Sequence, residues 1–276
     1  MDGRTKRLDA LLVEKGLASG RERAKEQIRA GQVFVDGRAV VKPSAQVDGD
    51  ADIRCEGGCP YVGRGGLKLE KAVREVPLQL EGRTALDIGA STGGFTDCML
   101  RFGAAKVYAV DVGHGQLHPS LRTDPRVVSL EGVDVRSERM AAAVPQGTAT
   151  FAAADVSFIS EKAVLPYLLP YLAPSARLVV LIKPQFEAGR PAVGKNGVVR
   201  DRRVHRRVLD EMLRFFAGEG LRLDWLSHSP VTGGEGNIEY LAALTAPPAS
   251  GTPLFPDTEA VVERAFSSFS HRLNPV

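Results

Sequence analysis

Four polar residues suited to proton transfer lie beside short apolar runs that are typical of buried strands. Asp155 and Lys183 each follow such a run, Glu239 lies near the start of another, and Lys68 lies on a predicted helix ahead of the first. Alone, each residue is typical of a surface ion pair. In a parallel sheet with an antiparallel last strand, however, all four reach one edge. A lysine among carboxylates and a second lysine can take a proton from a weakly acidic hydroxyl group.

A glycine-rich loop, DIGASTGGFTD, follows the first predicted strand and spans residues 87–97. Its spacing differs from the G-x-G-x-x-G of pyrophosphate-binding loops, which disfavours a dinucleotide. An acid two residues before the first glycine better suits S-adenosylmethionine, whose ammonium and sulfonium groups are cationic. We predict that this cofactor contacts Asp87, Gly89, Ala90, Ser91, Thr92, Gly93, Gly94 and Phe95.

Two further acids follow the second and third predicted strands. Asp111 is placed to accept hydrogen bonds from ribose hydroxyls, and Asp134 could accept one from an adenine amino group. The alternative for each is a helix cap or a solvated loop residue, and this alternative weighs more for Asp134. The predicted cofactor site also includes Val112, Val135 and Asp155.

The elements that must position these residues alternate between strands and helices, which predicts a Rossmann-like α/β domain with a doubly wound, mostly parallel sheet of seven strands. An apolar stripe at Leu69, Ala72, Val73 and Val76 predicts a helix with Lys68 in its first turn and off the buried face. The last two strands, 221–226 and 238–244, are joined by a connection too short for a helix and should pair antiparallel. The predicted parallel strands are 84–88, 106–110, 126–130, 149–154 and 176–182.

A small α+β module precedes this domain. The sequence predicts a helix that ends at Gly16 and a second helix that starts at a capping box, Ser19 to Glu22. The runs 32–35 and 38–41 flank Asp36-Gly37, the preferred pair for a type I′ turn, and therefore predict a hairpin.

Positive charge is concentrated on this module, with ten Lys or Arg against five Asp or Glu between Arg4 and Lys42. Arg21, Lys25 and Arg29 form a stripe at helical spacing, and Arg38 and Lys42 lie beside it on the hairpin. The stripe suits phosphate groups, although Glu22 and Glu26 leave a solvated helix face as the alternative.

The composition limits the classes of protein that remain. The chain has 276 residues, a formal net charge of +3 and no apolar run near the ~18 residues of a membrane span. We expect a soluble cytoplasmic protein. The three cysteines, Cys55, Cys59 and Cys98, are too few for a disulfide framework, and no histidine accompanies the first pair, so we expect free thiols and no metal.

The two modules resemble known families. The segment RLDALLVEKGLASGRERAKEQIRAGQVFVDGRAVVKP is similar to the S4 RNA-binding domain over about residues 4–54. Behind it, YVGRGGLKL, DIGASTGGFTD, DVGHGQL, ADVSFIS, KPQFEAG and GNIEY resemble the TlyA family of haemolysin A-like rRNA 2′-O-methyltransferases. The resemblance covers nearly the whole chain.

The resemblance implies roles for the four polar residues. Lys183 would accept the proton of a ribose hydroxyl, Asp155 and Lys68 would be its electrostatic partners, and Glu239 would contact the hydroxyl or support the set. The implied substrate is cytidine in 23S rRNA, alone or together with 16S rRNA. The sequence departs from the family at Asp134, where Asn is more usual, and at residues 55–60, CEGGCP, in a region that usually carries a Trp.

The predicted organisation is an S4-like domain at 1–55, a glycine-rich linker at 56–66, an FtsJ-like methyltransferase domain at 67–246 and a proline-rich linker with a helix at 247–276. We expect a monomer that binds ribosomal RNA and no membrane. The predicted RNA contacts are Arg4, Lys6, Arg7, Arg21, Arg23, Lys25, Arg29, Arg64, Lys195 and Arg200.

A second basic cluster follows Lys183 and is also expected to contact RNA rather than merely face water. It comprises Arg190, Lys195, Arg200, Arg202, Arg203, Arg206, Arg207 and Arg214. Two alternatives to an enzyme remain: a non-catalytic ribosome-binding module and, less well supported, a membrane-lytic protein. Neither accounts for four polar residues at one sheet edge.

Overall fold

The chain divides after Pro60 into two units, Met1–Pro60 and Tyr61–Val276. The structure is a computed structural model, and it describes residues 5–15, 17–18, 20–55, 59–194 and 196–270. Each unit has its own hydrophobic core.

The N-terminal unit contains two short helices and small antiparallel sheets. Strand β1 pairs with β4, and β2 pairs with both β3 and β5. The predicted hairpin is confirmed, because Asp36 and Gly37 both have positive φ, 48° and 77°, as a type I′ turn requires. The elements are β1 Thr5–Arg7, α1 Leu8–Glu14, α2 Arg21–Arg29, β2 Val33–Val35, β3 Arg38–Ala39, β4 Gln46–Asp48 and β5 Ile53–Cys55.

The residues predicted to end α1 and to cap α2 lie outside the described part of the chain. Helix α1 ends at Glu14, and the predicted end, Gly16, lies outside the described residues. Helix α2 begins at Arg21 after Gly20, which offers no side-chain cap, and Ser19 also lies outside the described residues. Strands β1, β4 and β5 were not predicted, because segments of three residues carry too little alternation to be distinguished from loops.

The C-terminal unit is built on a seven-stranded sheet with the order β11-β12-β10-β9-β6-β7-β8. Its strands are β6 Thr84–Ile88, β7 Lys106–Asp111, β8 Val127–Glu131, β9 Ala149–Ala154, β10 Leu172–Ile182, β11 Arg222–His228 and β12 Tyr240–Thr245. Its helices are α3 Gly65–Glu75, α4 Gly94–Arg101, α5 Pro119–Arg122, α6 Glu138–Ala143, α7 Leu165–Leu168, α8 Pro184–Glu187, α9 Arg202–Gly218 and α10 Thr258–Ser268.

The predicted topology is confirmed. Strands β10, β9, β6, β7 and β8 pair in parallel, and β12 pairs antiparallel with both β10 and β11. The carboxyl ends of the parallel strands and the start of β12 therefore lie at the same edge of the sheet, as the sequence predicted.

Helix α3 corrects two expectations. It begins at Gly65, so two glycines of the predicted flexible linker, Gly65 and Gly66, belong to a helix. Lys68 was expected off the buried face, yet only 8% of it is exposed. The spacing of the apolar residues predicts one buried face of the helix. It does not show that the residues of the site at the sheet edge bury a second face.

The tail after β12 ends in the predicted helix, α10, whose Val261, Val262 and Phe266 are buried in the main core. No helix in the part of the chain that the structure describes is long and apolar enough to cross a membrane.

Candidate active site

The four predicted polar residues form one chain of alternating charge. Lys183 Nζ lies 2.5 Å from Asp155 Oδ1, and Lys68 Nζ lies 3.5 Å from the other oxygen, Asp155 Oδ2. Lys68 Nζ also donates to Glu239 Oε2 at 2.7 Å. Two lysines and two carboxylates thus alternate in the order Lys183, Asp155, Lys68, Glu239, and their formal charges cancel.

Four different elements supply these residues. Asp155 directly follows β9, Lys183 directly follows β10, Glu239 directly precedes β12, and Lys68 comes from α3. The sheet topology therefore assembles the chain from positions up to 171 residues apart. It buries Lys68, Lys183 and Glu239, which are at most 8% exposed.

Burial and pairing act in opposite directions on the charges of the site. Burial disfavours the ammonium group of Lys68, but Asp155 and Glu239 outweigh this effect and raise the pKa of Lys68. Burial likewise disfavours the carboxylate of Asp155, but the two lysines beside it lower its pKa. Lys68 and Asp155 are therefore a charged pair at neutral pH.

Gln185 and Gly233 surround the carboxylate of Glu239. Gln185 Nε2 donates to Glu239 Oε1 at 3.4 Å. A Cβ atom at Gly233 would lie 2.5 Å from the same oxygen, so only glycine leaves room for the carboxylate there. Neither residue was predicted from the sequence.

Two contiguous clefts open at this sheet edge. The first, of ≈ 610 Å³, is lined mainly by apolar residues after β6, β7 and β8 and is called here the apolar cleft. The second, of ≈ 580 Å³, is lined by Arg64, Lys68, Lys183 and Glu239 and is called the lysine cleft. Both clefts are lined by Gly89, Ser91, Asp155, Ser157 and Phe158.

The predicted cofactor residues divide among three positions. Gly89, Ser91, Asp111, Val112, Asp134, Val135 and Asp155 line the apolar cleft. Ala90, Thr92, Gly94 and Phe95 line a recess of ≈ 120 Å³ beside it. Asp87 and Gly93 line neither space.

The glycines of the loop make close contacts with other backbone segments. Gly89 has a φ of +84°, and a Cβ atom there would lie 2.5 Å from the carbonyl oxygen of Asp155. A Cβ atom at Gly94 would lie 2.9 Å from the backbone nitrogen of Gly66. The Cβ positions at Gly89 and Gly94 face other parts of the protein, so glycine lets these backbone segments approach closely. These two glycines hold Asp155 and α3 close to the loop.

Asp87 is fully buried and stabilises the start of α4, directly after the glycine-rich loop. Its Oδ2 accepts hydrogen bonds from the backbone nitrogen and the hydroxyl of Thr96, at 2.9 and 2.6 Å. Burial raises the pKa of Asp87 to about 7, although these hydrogen bonds oppose the shift. Its Oδ1 is buried and has no hydrogen-bond partner in the structure.

The two acids beyond the loop have structural partners. Asp111 accepts hydrogen bonds from the backbone nitrogens of Ser91 and Gly113, both at 2.7 Å, and so joins the glycine-rich loop to the segment after β7. Asp134 pairs with Arg136 at 2.5 Å. Each also lines the apolar cleft, where the sequence predicted its ligand contact.

Two residues that the sequence analysis missed lie between the clefts. Ser157 Oγ lies 2.9 Å from Lys183 Nζ. Phe158 is 92% exposed, has a φ of 66° and packs against Phe186 with ring centroids 5.4 Å apart. An exposed aromatic side chain is indistinguishable in sequence from a core residue, and the apolar context of ADVSFIS favours the core.

The predicted RNA contacts of the N-terminal unit are mostly ion-paired. Arg7 and Arg21 both pair with buried Asp9, whose pKa they lower to about 2. The remaining pairs are Lys6 with Glu14, Arg23 with Glu26 and Lys25 with Glu22. Arg29, Arg38 and Lys42 are exposed, and Arg4 lies outside the described residues.

The second basic cluster is partly neutralised by α10. Arg202 pairs with Glu263 and Arg206 pairs with Glu259, at 2.6 and 2.7 Å. Arg203 remains 94% exposed, and Arg200 is exposed near the start of α9. Lys195 lies outside the described residues. These acids of α10 lie more than 50 residues away in sequence, so the pairing of Arg202 and Arg206 could not be read from the local sequence.

A mostly parallel seven-stranded sheet with an antiparallel last strand, and clefts at its carboxyl edge, define a Rossmann-like methyltransferase of class I. The family model of FtsJ-like methyltransferases matches residues 61–246, and that of the S4 domain matches residues 6–53. The chain belongs to the FtsJ-like methyltransferase family and carries an N-terminal S4 domain.

Relatives match both units together. The Bacillus subtilis protein named "Putative rRNA methyltransferase YqxC" is 49% identical over 90% of this chain and 88% of its own length. The "16S/23S rRNA (cytidine-2'-O)-methyltransferase TlyA" of Mycobacterium tuberculosis is 41% identical over 87% of this chain and 90% of its own. The solved structure "Putative hemolysin from Streptococcus thermophilus" is 40% identical, with a TM-score of 0.77 and 99% coverage of both chains.

Proposed function

We propose that the protein is an S-adenosylmethionine-dependent RNA methyltransferase that modifies a ribose 2′-hydroxyl group. The proposed substrate is cytidine in 23S rRNA, with 16S rRNA as a second candidate, and the name of the Mycobacterium tuberculosis relative supports this choice. The observation that carries the proposal is the buried chain Lys183, Asp155, Lys68, Glu239 at the lysine cleft.

The residues of the apolar cleft fit S-adenosylmethionine. The cleft is large enough for an adenosine group and is mostly apolar, and Asp111 and Asp134 line it with carboxylates. Carboxylates suit ribose hydroxyls and an adenine amino group. Asp155, Gly89 and Ser91 line both clefts, so this end of the apolar cleft adjoins the lysine cleft. When bound, the cofactor supplies a methyl group on a cationic sulfur.

Lys183 is the proposed proton acceptor. Its Nζ takes up the proton that the ribose hydroxyl loses as the hydroxyl oxygen bonds to the methyl carbon and the carbon–sulfur bond breaks, leaving its electron pair on sulfur. Asp155 holds Lys183 in place and stabilises the ammonium group that forms. Lys68 fixes Asp155 and is itself held by Glu239.

The N-terminal unit is proposed to supply RNA affinity and no chemistry. Its exposed cations, Arg29, Arg38 and Lys42, suit phosphate contacts, and an S4 domain is present. The proposed division of labour assigns substrate binding to residues 1–55 and methyl transfer to residues 67–246.

The test is to map 2′-O-methyl positions on rRNA from cells with and without the gene, and after complementation with Lys183→Ala. In single-turnover assays Lys183→Ala should transfer methyl groups about 10²-fold or more slowly and keep its affinity for S-adenosylmethionine and RNA. The surface variant Lys162→Ala is the control. Methylation by Lys183→Ala at the wild-type rate would refute the catalytic assignment and favour a non-catalytic ribosome-binding role.

A further inference from the structure

Lys183 has a second hydrogen-bond partner that lies outside the chain of four charged residues. Ser157 lies two residues after Asp155, and its Oγ is 2.9 Å from Lys183 Nζ. Ser157 is exposed and lines both clefts, whereas Lys183 is buried. The hydroxyl of Ser157 is thus the uncharged partner of Lys183, beside the charged partner Asp155.

The number of partners matters because of the shape of an amine. An ammonium group has three N–H bonds, whereas a neutral lysine has two N–H bonds and one lone pair at the corners of a tetrahedron. Asp155 Oδ1 and Ser157 Oγ accept at two of these corners, at 2.5 and 2.9 Å from Nζ. When both hydrogens are held in this way, the remaining corner is the lone pair.

We propose that Ser157 is a positioning residue for methyl transfer: with Asp155 it holds the two hydrogens of neutral Lys183 and so directs the lone pair at the incoming hydroxyl. This inference rests on the proposed function, in which Lys183 takes the proton. Ser157 is not one of the four charged residues, and their ion pairs form without it.

The segment that carries Ser157 is tied to the element that carries Lys183. Ser160 Oγ donates to Glu187 of α8 at 2.6 Å, and the backbone nitrogen of Glu161 donates to the same carboxylate at 2.8 Å. Helix α8 begins immediately after Lys183. Because Ser157 and Lys183 are both held by α8, their separation is set by the fold.

The backbone beside Ser157 also indicates a constrained position. Phe158 has a φ of 66°, in the left-handed region that bulky residues rarely adopt, and its ring contacts Phe186 of α8. Such strain persists only where the surroundings fix it and is concentrated at functional sites.

The effect of Ser157 on pH dependence has a defined sign. The charged or titratable groups around Lys183 are Asp155 after β9, Lys68 from α3, Glu239 before β12 and Glu161 in the segment after Ser157. Replacing Ser157 by alanine changes none of these charges and removes a hydroxyl that accepts more strongly from the ammonium form than from the neutral amine. The neutral form then gains relative to the ammonium form, and the rising limb of the pH–rate profile moves to lower pH.

The experiment compares three variants of the full-length protein with wild type in single-turnover methylation of rRNA across pH. Ser157→Ala should react on the order of 10-fold more slowly at its optimum, because the lone pair is less well directed, with the rising limb at lower pH. Ser157→Thr keeps the hydroxyl and should recover the rate to within about threefold. Thr148→Ala removes an exposed hydroxyl just before β9, at the sheet edge opposite the clefts, and should keep the wild-type rate and pH profile.

A second readout needs no RNA. Reductive dimethylation with formaldehyde, followed by peptide mass spectrometry, measures how readily Lys183 reacts as a neutral amine. Ser157→Ala should react faster than wild type at a given pH, and Thr148→Ala should react at the wild-type rate.

A Ser157→Ala protein with the wild-type rate, pH profile and Lys183 reactivity would overturn the positioning role. So would a Ser157→Ala protein that is no slower than Thr148→Ala and has an unshifted profile. The proposed function fails separately, if wild type transfers no methyl group to a ribose hydroxyl. In that case the amine-reactivity measurement still decides whether Ser157 controls Lys183.

Discussion

At the residue scale, the site depends on charges that are buried in alternation. Each lysine has a carboxylate within 3.5 Å, and the central residues Asp155 and Lys68 each contact two partners. Removing one member of a buried pair leaves an uncompensated charge, which costs several kcal/mol, whereas the intact chain is neutral. The positions of the four groups are therefore interdependent.

Glu239→Gln tests the far end of this chain. The change keeps the shape and removes the charge that holds Lys68, so Lys68 has only Asp155 as its carboxylate partner. We expect single-turnover methyl transfer to fall by about 10- to 100-fold. Affinity for S-adenosylmethionine should stay unchanged in calorimetry, because Glu239 does not line the apolar cleft. Glu75→Gln, at the exposed end of α3, is the control, and an equal loss there would show that the effect is not specific to the site.

Glu161 makes stability depend on pH. It is fully buried, and burial raises its pKa to about 8 from the ordinary 4.5. The folded protein therefore binds more protons than the unfolded chain between pH 4.5 and 8, so the free energy of unfolding falls as pH rises through this window.

Glu161→Gln should remove this contribution. Relative to wild type, we expect the variant to gain stability progressively between about pH 4.5 and 8, by up to about 5 kcal/mol, and to gain no more above pH 8. Chemical denaturation at several pH values measures this difference. The exposed Glu138→Gln control should show no such trend, and a flat difference for Glu161→Gln would contradict the prediction.

At the element scale, two helix starts pack against each other to place Lys68. The first turn of α3 lies against the first turn of α4, where Gly94 approaches the backbone of Gly63 and Gly66. Asp97 of α4 also accepts a hydrogen bond from the backbone nitrogen of Val62, at 2.9 Å. The glycine-rich loop at the start of α4 and the lysine on α3 are thus positioned by one contact.

Gly94→Ala tests this packing without backbone strain, because Gly94 has no positive φ. The added Cβ atom would lie 2.9 Å from Gly66 N and 3.0 Å from Gly63 O. Both are backbone atoms, which cannot move aside as the end of a flexible side chain could. We expect a loss of stability of about 1–3 kcal/mol and slower methyl transfer as Lys68 moves. Gly218→Ala, whose Cβ position is open, should be neutral or stabilising in the same melting and activity assays. Equal behaviour of the two variants would refute the packing role.

At the scale of the whole molecule, the cations of the N-terminal unit differ in whether they pair within that unit or remain exposed. The buried ion pairs of Asp9 show that Arg7 and Arg21 stabilise the N-terminal unit itself, so replacing Arg21 would confuse folding with binding. The exposed residues Arg29, Arg38 and Lys42 allow a cleaner test of RNA contact.

Replacing Arg29, Arg38 and Lys42 together by alanine should weaken RNA binding. The slope of log K against log salt should flatten by up to about three phosphate contacts, because each cation releases counterions on binding. Affinity for S-adenosylmethionine should remain unchanged. The control replaces Arg83, Lys106 and Arg126, which lie at the amino ends of β6, β7 and β8, opposite the clefts. If both triple variants show the same slope, Arg29, Arg38 and Lys42 have no specific role in RNA binding.

The sequence by itself determined the sheet and its active edge. Periodicity and connection length gave all seven strands of the C-terminal unit to within a few residues, together with the reversed direction of β12. Because strand direction fixes which residues leave the sheet at the carboxyl edge, the convergence of Asp155, Lys183 and Glu239 followed from the order of elements. Lys68 lies on α3, and the sequence predicted only that it could join them from a preceding helix.

Only the tertiary structure decided which of the predicted polar residues are buried and which have partners. The burial of Lys68, the pairing of Arg202 and Arg206 with α10, and the contact of Ser157 with Lys183 all depend on elements that are distant in sequence or on the path of one loop. Local propensities specify the direction and face of a helix or strand. They contain no information about which distant side chain will occupy the space beside it, because that is set by packing of the whole core.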